Sequence, residues 1–239
     1  MKNLLIISLL FVFVNMQAQT FIKLESDTTA ITEYVNGRLW AYRYIGNFVV
    51  GMTNYEEKDD YGKYYQIHIY INNLGKKSVT FNPEEITSSL VTKKGDTIDL
   101  VVYSHEQFMK KVKRTQAWAM ALTSFSTGLN AGMAGYSTTY TTAYGANGTP
   151  YTQISTHYNA SAASAANMSA QAQIVTLGKM MEEDKKAKEQ GYLKINTIHP
   201  NEAIIGYMNI KRKRGTTMTI NIPINGQVYS FDWDVTKKK

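Results

Sequence analysis

Histidine and carboxylate side chains are the groups in this sequence that could do acid–base chemistry or bind a metal ion. The four histidines, His68, His105, His157 and His199, are far apart in the sequence and fall on different predicted elements. The pair His105 and Glu106 lacks the second histidine that a zinc-binding helix requires. The sequence also contains no phosphate-binding glycine loop and no Gly-x-Ser-x-Gly elbow. We therefore expect a protein that is not an enzyme and that has no catalytic residues, metal ion or cofactor.

An acidic loop is the other candidate for metal binding. Glu56, Glu57, Asp59 and Asp60 precede Tyr61, and carboxylate oxygens are ligands that Ca²⁺ prefers. A calcium loop of the EF-hand type needs ligands at alternating positions and a distal glutamate, and this spacing is missing. A solvated turn between two strands is the favoured interpretation.

The distribution of charged residues along the sequence indicates how the chain is divided into structural units. Residues 115–178 contain no Asp, Glu, Lys or Arg, whereas both flanking segments are densely charged. We interpret this segment as part of one structural unit inserted into another. The predicted β domain consists of residues 20–103 and 192–239, and the predicted insertion of residues 104–191.

The flanks have the pattern of β-strands. In residues 65–72, apolar and polar side chains alternate with the period of two of a half-buried strand. Asn225 and Gly226 form the best short hairpin signal, because both tolerate a positive φ. About seven short strands at regular spacing predict an antiparallel sandwich.

The insertion has the pattern of helices. Ser104 and Gln107 predict a capping box at the start of the first helix, and Gly191 predicts the end of the second, at residues 161–190. On the first helix, side chains recur at alternating spacings of four and three, which predicts a seam that packs against the second helix. The residues of this seam are Phe108, Val112, Thr115, Ala119, Leu122, Ser126, Leu129 and Met133. Residues 136–158 between them are rich in Tyr and Thr and predict a β-hairpin tip.

The β flanks resemble the immunoglobulin-like accessory domains of exported bacterial proteins. The resemblance rests on the strand at residues 65–72, on Pro83-Glu84 and on the segment at residues 199–210, which begins His-Pro-Asn-Glu. It implies a sandwich fold and an interaction or scaffolding role. The predicted fold class is thus mainly β with an α insertion: an immunoglobulin-like antiparallel β-sandwich interrupted by a long antiparallel helical hairpin with a β-hairpin tip.

The uncharged insertion is the predicted partner-binding site, because a surface helix normally carries charge on its solvent-facing side. The residues expected to bind are Trp118, Leu122, Phe125, Leu129, Tyr136, Tyr140, Tyr144, Tyr151 and Tyr158. We expect self-association, as a homo-oligomer, or binding to another protein of the cell envelope. The alternative is a glycan-binding module that uses the tyrosines of the tip. Membrane contact through the insertion is a weaker third option, without a membrane span.

The first nineteen residues have the pattern of a secretory signal peptide. Lys2 precedes an apolar run at residues 4–14 and a small-residue segment at residues 16–19. The run has eleven residues, whereas a membrane-spanning helix needs about 20. The sequence contains no cysteine, so neither a lipid at a cleavage-site cysteine nor a disulfide is expected. We therefore expect an exported protein, periplasmic or at the cell surface.

The mature chain is expected to carry a net positive charge. Loss of Lys2 leaves 25 basic residues against 19 acidic ones, a net charge of +6. The basic residues are scattered or terminal, which favours an ordinary solvated surface over attraction to anionic lipid or glycan. Export argues against nucleic acid as a partner.

Overall fold

A computed structural model of the chain describes residues 19–23, 27, 29–144 and 150–236. The predicted signal peptide, apart from Gln19, lies outside the described residues. The chain divides into two compact units. Unit 1 contains the described residues up to Glu57 together with Lys63–Val102 and the chain from Lys194 onward. Unit 2 contains Lys58–Gly62 and Tyr103–Leu193.

The strands account for most of the regular structure. In chain order they are β1 (Thr20–Phe21), β2 (Ala30–Val35), β3 (Arg38–Ile45), β4 (Phe48–Asp59), β5 (Gly62–Asn73), β6 (Val79–Phe81), β7 (Thr87–Val91), β8 (Thr97–Leu100), β9 (Tyr136–Tyr144), β10 (Pro150–Tyr158), β11 (Asn196–Ile198), β12 (Ala203–Lys211), β13 (Thr217–Ile224) and β14 (Gln227–Asp234). A short 3₁₀ helix spans Pro83–Glu85. The protein is mainly β.

Two five-stranded sheets build unit 1. Their strand orders are β1-β14-β13-β7-β8 and β12-β5-β4-β3-β2, and β6 pairs with β11 in a separate two-stranded sheet. The following strand pairs are antiparallel: β1–β14, β13–β14, β7–β13, β7–β8, β6–β11, β5–β12, β2–β3 and β3–β4. The turn predicted at Asn225-Gly226 is confirmed: φ is 49° at Asn225 and 76° at Gly226, and the turn joins β13 to β14.

Buried and half-buried side chains alternate along β5, which shows which side of its sheet is buried. Ile67, Ile69 and Ile71 are each 0% exposed, whereas His68 and Tyr70 between them are half-buried. This is the period of two that the sequence predicts for the strand. In the other sheet, alternate residues of β14 supply large buried rings, Tyr229, Phe231 and Trp233.

The predicted fold class, an immunoglobulin-like sandwich interrupted by a long antiparallel helical hairpin with a β-hairpin tip, is wrong. An immunoglobulin fold distributes its strands between two sheets through Greek-key connections. Here β2, β3, β4 and β5 are consecutive in the chain and are neighbours in one sheet. Periodicity predicts that a segment is a strand, but it does not say which strand lies beside it.

Unit 2 contains the two α-helices of the described residues, α1 (His105–Met133) and α2 (Ala160–Glu189). They are not joined by the short loop of a helical hairpin, because the strands β9 and β10 lie between them. These strands form a two-stranded ribbon, paired from Tyr136↔Tyr158 to Tyr144↔Pro150. The predicted capping box at the start of α1 is confirmed, with the Ser104 hydroxyl accepting from the Gln107 backbone N–H. Neither α1 nor α2 has the length and apolar content needed to cross a bilayer.

We predict that burial in the sheet, and not strand propensity, determines stability in unit 1. Ile69→Ala removes a fully buried side chain from β5 and should lower the free energy of unfolding by about 2–5 kcal/mol. The control is Ile205→Ala on the neighbouring strand β12, where the side chain is 63% exposed. Urea unfolding followed by circular dichroism measures both. Equal losses in the two variants would contradict this assignment of the buried side.

Candidate functional site

The predicted partner-binding residues of α1 lie on an exposed stripe. Trp118 is 70% exposed, Leu122 57%, Phe125 66% and Leu129 52%. Met133 continues the same line and is 70% exposed. We call these five residues the α1 stripe. Because their spacings are four, three, four and four, they lie on one side of the helix.

The α1 stripe is exposed because the two helices contact each other through other residues. Ala131 of α1 is 3% exposed, and Ala163 and Ala170 of α2 are 7% and 9% exposed. The Gln116 side chain donates to the carbonyl oxygen of Met181 at 2.7 Å. Small side chains at the contact let the two backbones approach closely. The large apolar residues of α1 are thereby left on the opposite side.

The predicted seam on α1 is therefore partly wrong. Phe108 and Val112 are buried, at 1% and 0% exposure. Leu122, Leu129 and Met133, which the same pattern assigns to the seam, are exposed. The side of α1 that meets α2 instead includes Gln116, which bonds to Met181, and Met120, whose terminal methyl would lie 3.5 Å from a Cβ at Gly178.

The predicted tyrosines of the ribbon are in part described. Tyr136 and Tyr158 face each other across the two strands, with ring centroids 5.0 Å apart. They are 61% and 60% exposed, and Tyr140 is 70% exposed. The side chains of Tyr144 and Tyr151 lie outside the described part of the structure. The close pair Tyr136–Tyr158 is a cross-strand contact that stabilises the ribbon itself.

The acidic loop of the sequence contributes to unit 2 through Asp59. Its carboxylate accepts hydrogen bonds from the backbone N–H groups of Tyr61 and Gly62, at 2.9 and 3.1 Å. Lys188 of α2 lies 2.8 Å from the same carboxylate. Among the described residues, no cluster of three His, Cys, Asp or Glu side chains has a geometry suited to a metal ion.

Beside this turn, unit 2 contains a cavity of about 310 Å³. Three of its polar side chains are linked by hydrogen bonds: Tyr61 donates to Asp184, and Gln116 donates to the Tyr61 hydroxyl at 2.9 Å. Burial, and then the hydrogen bond to Asp184, raises the pKa of Tyr61. These bonds hold the turn against the helices.

Each unit contains two of the four histidines. In unit 2, His105 in the first turn of α1 lies 3.5 Å from Glu189, and His157 is an exposed residue of β10. In unit 1, His199 is bonded to Ser78 at 2.9 Å, and His68 belongs to β5.

Sequence analysis missed a second candidate surface, on the outer side of the sheet β12-β5-β4-β3-β2. Ring side chains from four strands lie on this side, opposite the buried isoleucines of β5. We call the following residues the ring face: Trp40, Tyr42, Tyr55, His68, Tyr70 and Tyr207. Each is half-buried. The signal was present in the sequence, since rings recur at every second residue in both β3 and β5.

One half of the ring face is centred on Tyr42. The Trp40 and Tyr42 rings are stacked with centroids 6.0 Å apart and an interplanar angle of 19°. Tyr70 meets Tyr42 edge-on at 6.4 Å. Between these two tyrosines, the residue of β4 opposite Tyr42 is Gly51, and a Cβ there would lie 2.5 Å from Tyr42 Cε1. Glycine therefore allows the Tyr42 ring to lie against the sheet.

The other half is centred on His68. Its ring is stacked on Tyr207 with centroids 5.8 Å apart, and it lies 5.5 Å from the Tyr55 ring. The Tyr55 hydroxyl donates to the Gln66 side chain and lies 3.2 Å from His68 Nε2. The Arg38 guanidinium lies 4.3 Å from the centre of the Tyr55 ring, a cation–π contact.

Comparisons with known proteins give no assignment for either surface. No protein-family model matches the chain. No curated protein matches its sequence, and no solved structure matches its fold.

The environment of His68 predicts a pH dependence of stability. Burial, and then the positive charge of Arg38, lowers the pKa of His68 to about 4 from its ordinary value of 6.5. Between these two pH values the unfolded chain takes up a proton that the folded chain does not. The free energy of unfolding should therefore fall as the pH is lowered from 6.5 towards 4.

Urea unfolding at pH 7.5 and at pH 5 measures this effect. The decrease should be smaller in His68→Gln, and it should be unchanged in His157→Gln, which alters an exposed histidine of the ribbon. The same decrease in the wild type and in His68→Gln would show that His68 is not the group responsible.

Proposed function

We propose that the protein is a non-enzymatic, exported assembly protein of the cell envelope that self-associates through the α1 stripe. The observation that carries the proposal is the exposure of five large apolar side chains in one line on α1. Export is supported by the pattern of the first nineteen residues. The non-enzymatic part of the proposal rests on the sequence, which contains no zinc-binding helix motif, phosphate-binding glycine loop or Gly-x-Ser-x-Gly elbow.

The dimensions and spacing of the α1 stripe suit a helix–helix contact. From Trp118 to Met133 it extends over about 22 Å, at 1.5 Å per residue. The spacing of four, three and four is that of a coiled-coil seam, and within unit 2 this seam has no partner helix, since α2 contacts another side of α1. A contiguous apolar surface of this kind is typical of a protein–protein interface.

The distribution of charged residues on α1 favours a second copy of the chain as the partner. In a two-fold interface each stripe meets its own equivalent, so a charged residue would be brought close to a like charge. The stripe lies within the segment 115–178, which has no charged residue. The basic residues of α1, Lys110, Lys111, Lys113 and Arg114, all precede it. An antiparallel pairing of two α1 helices would place these basic groups at opposite ends.

We predict that one charge in the middle of the α1 stripe abolishes self-association. Wild-type protein should have at least twice the mass of one chain by light scattering. Leu122→Glu should have the mass of a monomer, because pairing would bury an unpaired carboxylate. The control is Asn130→Glu, which adds the same side chain to the same helix at an exposed position about 100° around it. This control should keep the wild-type mass.

Two results would contradict the proposal. One is a wild-type protein that is monomeric at all concentrations tested. The other is a Leu122→Glu variant that keeps the wild-type mass. Circular dichroism of both variants checks that the helices are intact, since both positions are solvent-exposed in a single chain.

A further inference from the structure

We propose that the ring face of unit 1 binds a neutral polysaccharide. The site is separate from the α1 stripe and uses a different unit, so it adds a ligand to the proposed assembly role. It is also distinct from the tyrosines of the ribbon, for which the sequence suggests a glycan as the alternative ligand.

The arrangement of the rings suits a flat and elongated ligand. They come from four adjacent strands, β3, β4, β5 and β12, and adjacent strands are about 4.8 Å apart. The ring face therefore extends across four strands along one side of the sheet. A pyranose ring has an apolar face of C–H groups, which stacks on an aromatic ring. Successive sugars of an extended chain can each meet a ring from another strand.

The polar groups on the same side suit the hydroxyl groups of a sugar. Tyr55, Gln66 and His68 are linked by hydrogen bonds, and Gln66 also donates to Asn209 at 3.1 Å. These bonds fix the side chains before a ligand arrives, which lowers the entropy cost of binding. Tyr, Trp and His each combine an apolar ring with a polar tip, as a sugar combines an apolar face with a polar rim.

The charge of this side favours a neutral ligand over an anionic one. The register places four charged side chains of unit 1 on the side of the ring face, two acidic and two basic: Glu33, Arg38, Glu57 and Lys211. His68 adds no charge near neutral pH, because burial and Arg38 keep its pKa at about 4. The ring face is thus balanced in charge, although the whole chain has a net charge of +7.

Gly51 gives a way to disturb the ring face without removing a ring. A methyl group at this position would lie 2.5 and 2.6 Å from two atoms of the Tyr42 ring, so the ring must move away from the sheet. Gly51→Ala should therefore weaken binding although every ring is still present. Gly128→Ala is the matched control, because a Cβ at this exposed position of α1 meets no atom within 4 Å.

The experiment is isothermal titration of the full mature chain with soluble laminarin, xylan, glucomannan and pullulan, and with heparin and polygalacturonate as anionic polymers. At least one neutral polymer should bind, and both anionic polymers should bind more weakly. Trp40→Ala combined with Tyr207→Ala should weaken binding about tenfold, because two of the stacking rings are removed. Gly51→Ala should also weaken it, and Gly128→Ala should not.

Further variants locate the site. Tyr140→Ala, in the ribbon, and Leu122→Glu, in the α1 stripe, should bind the neutral polymer as the wild type does. The fluorescence of Trp40 gives a second measurement: addition of the polymer should shift the emission, and Trp40→Phe should abolish the shift. This measurement also applies if the double alanine variant does not fold.

Several outcomes would overturn the proposal. They are no binding of any of the four neutral polymers, stronger binding of heparin or polygalacturonate, and equal binding by the wild type and a folded Trp40→Ala, Tyr207→Ala variant. Loss of binding in Tyr140→Ala alone would place the glycan site on the ribbon and would also overturn it. None of these outcomes depends on whether Leu122→Glu changes the mass of the protein, so the two proposals can fail separately.

Discussion

Side chains on a strand alternate between the two sides of its sheet, and in unit 1 this alternation is fixed by the isoleucines of β5. Ile67, Ile69 and Ile71 have no exposed surface, and a shift of one residue in register would bring all three to the other side. Because β4 and β12 are paired with β5, their side chains are fixed by the same register. The ring face lies on the opposite side of the sheet from these isoleucines. Their burial therefore also fixes the side on which its rings lie.

The helix pair of unit 2 differs from most helix pairs in where its large apolar side chains lie. In most helix pairs the large apolar residues lie at the contact and the polar ones face water. Here Ala131, Ala163 and Ala170 are at the contact, and Trp118 and Phe125 are outside it. This arrangement leaves the large apolar side chains of the α1 stripe exposed and available to another chain.

Local signals could be predicted well from the sequence. The capping box at Ser104, the turn at Asn225-Gly226 and the alternation along β5 depend on neighbouring residues alone, and all three are confirmed. The arrangement of the strands in sheets and the side of α1 that meets α2 depend on residues far apart in the sequence. There the predicted immunoglobulin-like sandwich was wrong and the predicted seam on α1 was partly wrong. The ring face was missed for the same reason, since its rings become a surface only when β3, β4, β5 and β12 are placed side by side.

The turn between β4 and β5 has a consequence for the order of folding. Its residues are close in sequence, but Asp59 obtains its lysine partner 129 positions later, and Tyr61 obtains its carboxylate partner 123 positions later. A ribosome makes the chain from the N-terminus at about 5–20 residues per second, so the hairpin is complete many seconds before Asp184 and Lys188 exist. Until α2 is made, the Asp59 carboxylate therefore has only its partners within the turn, the backbone N–H groups of Tyr61 and Gly62.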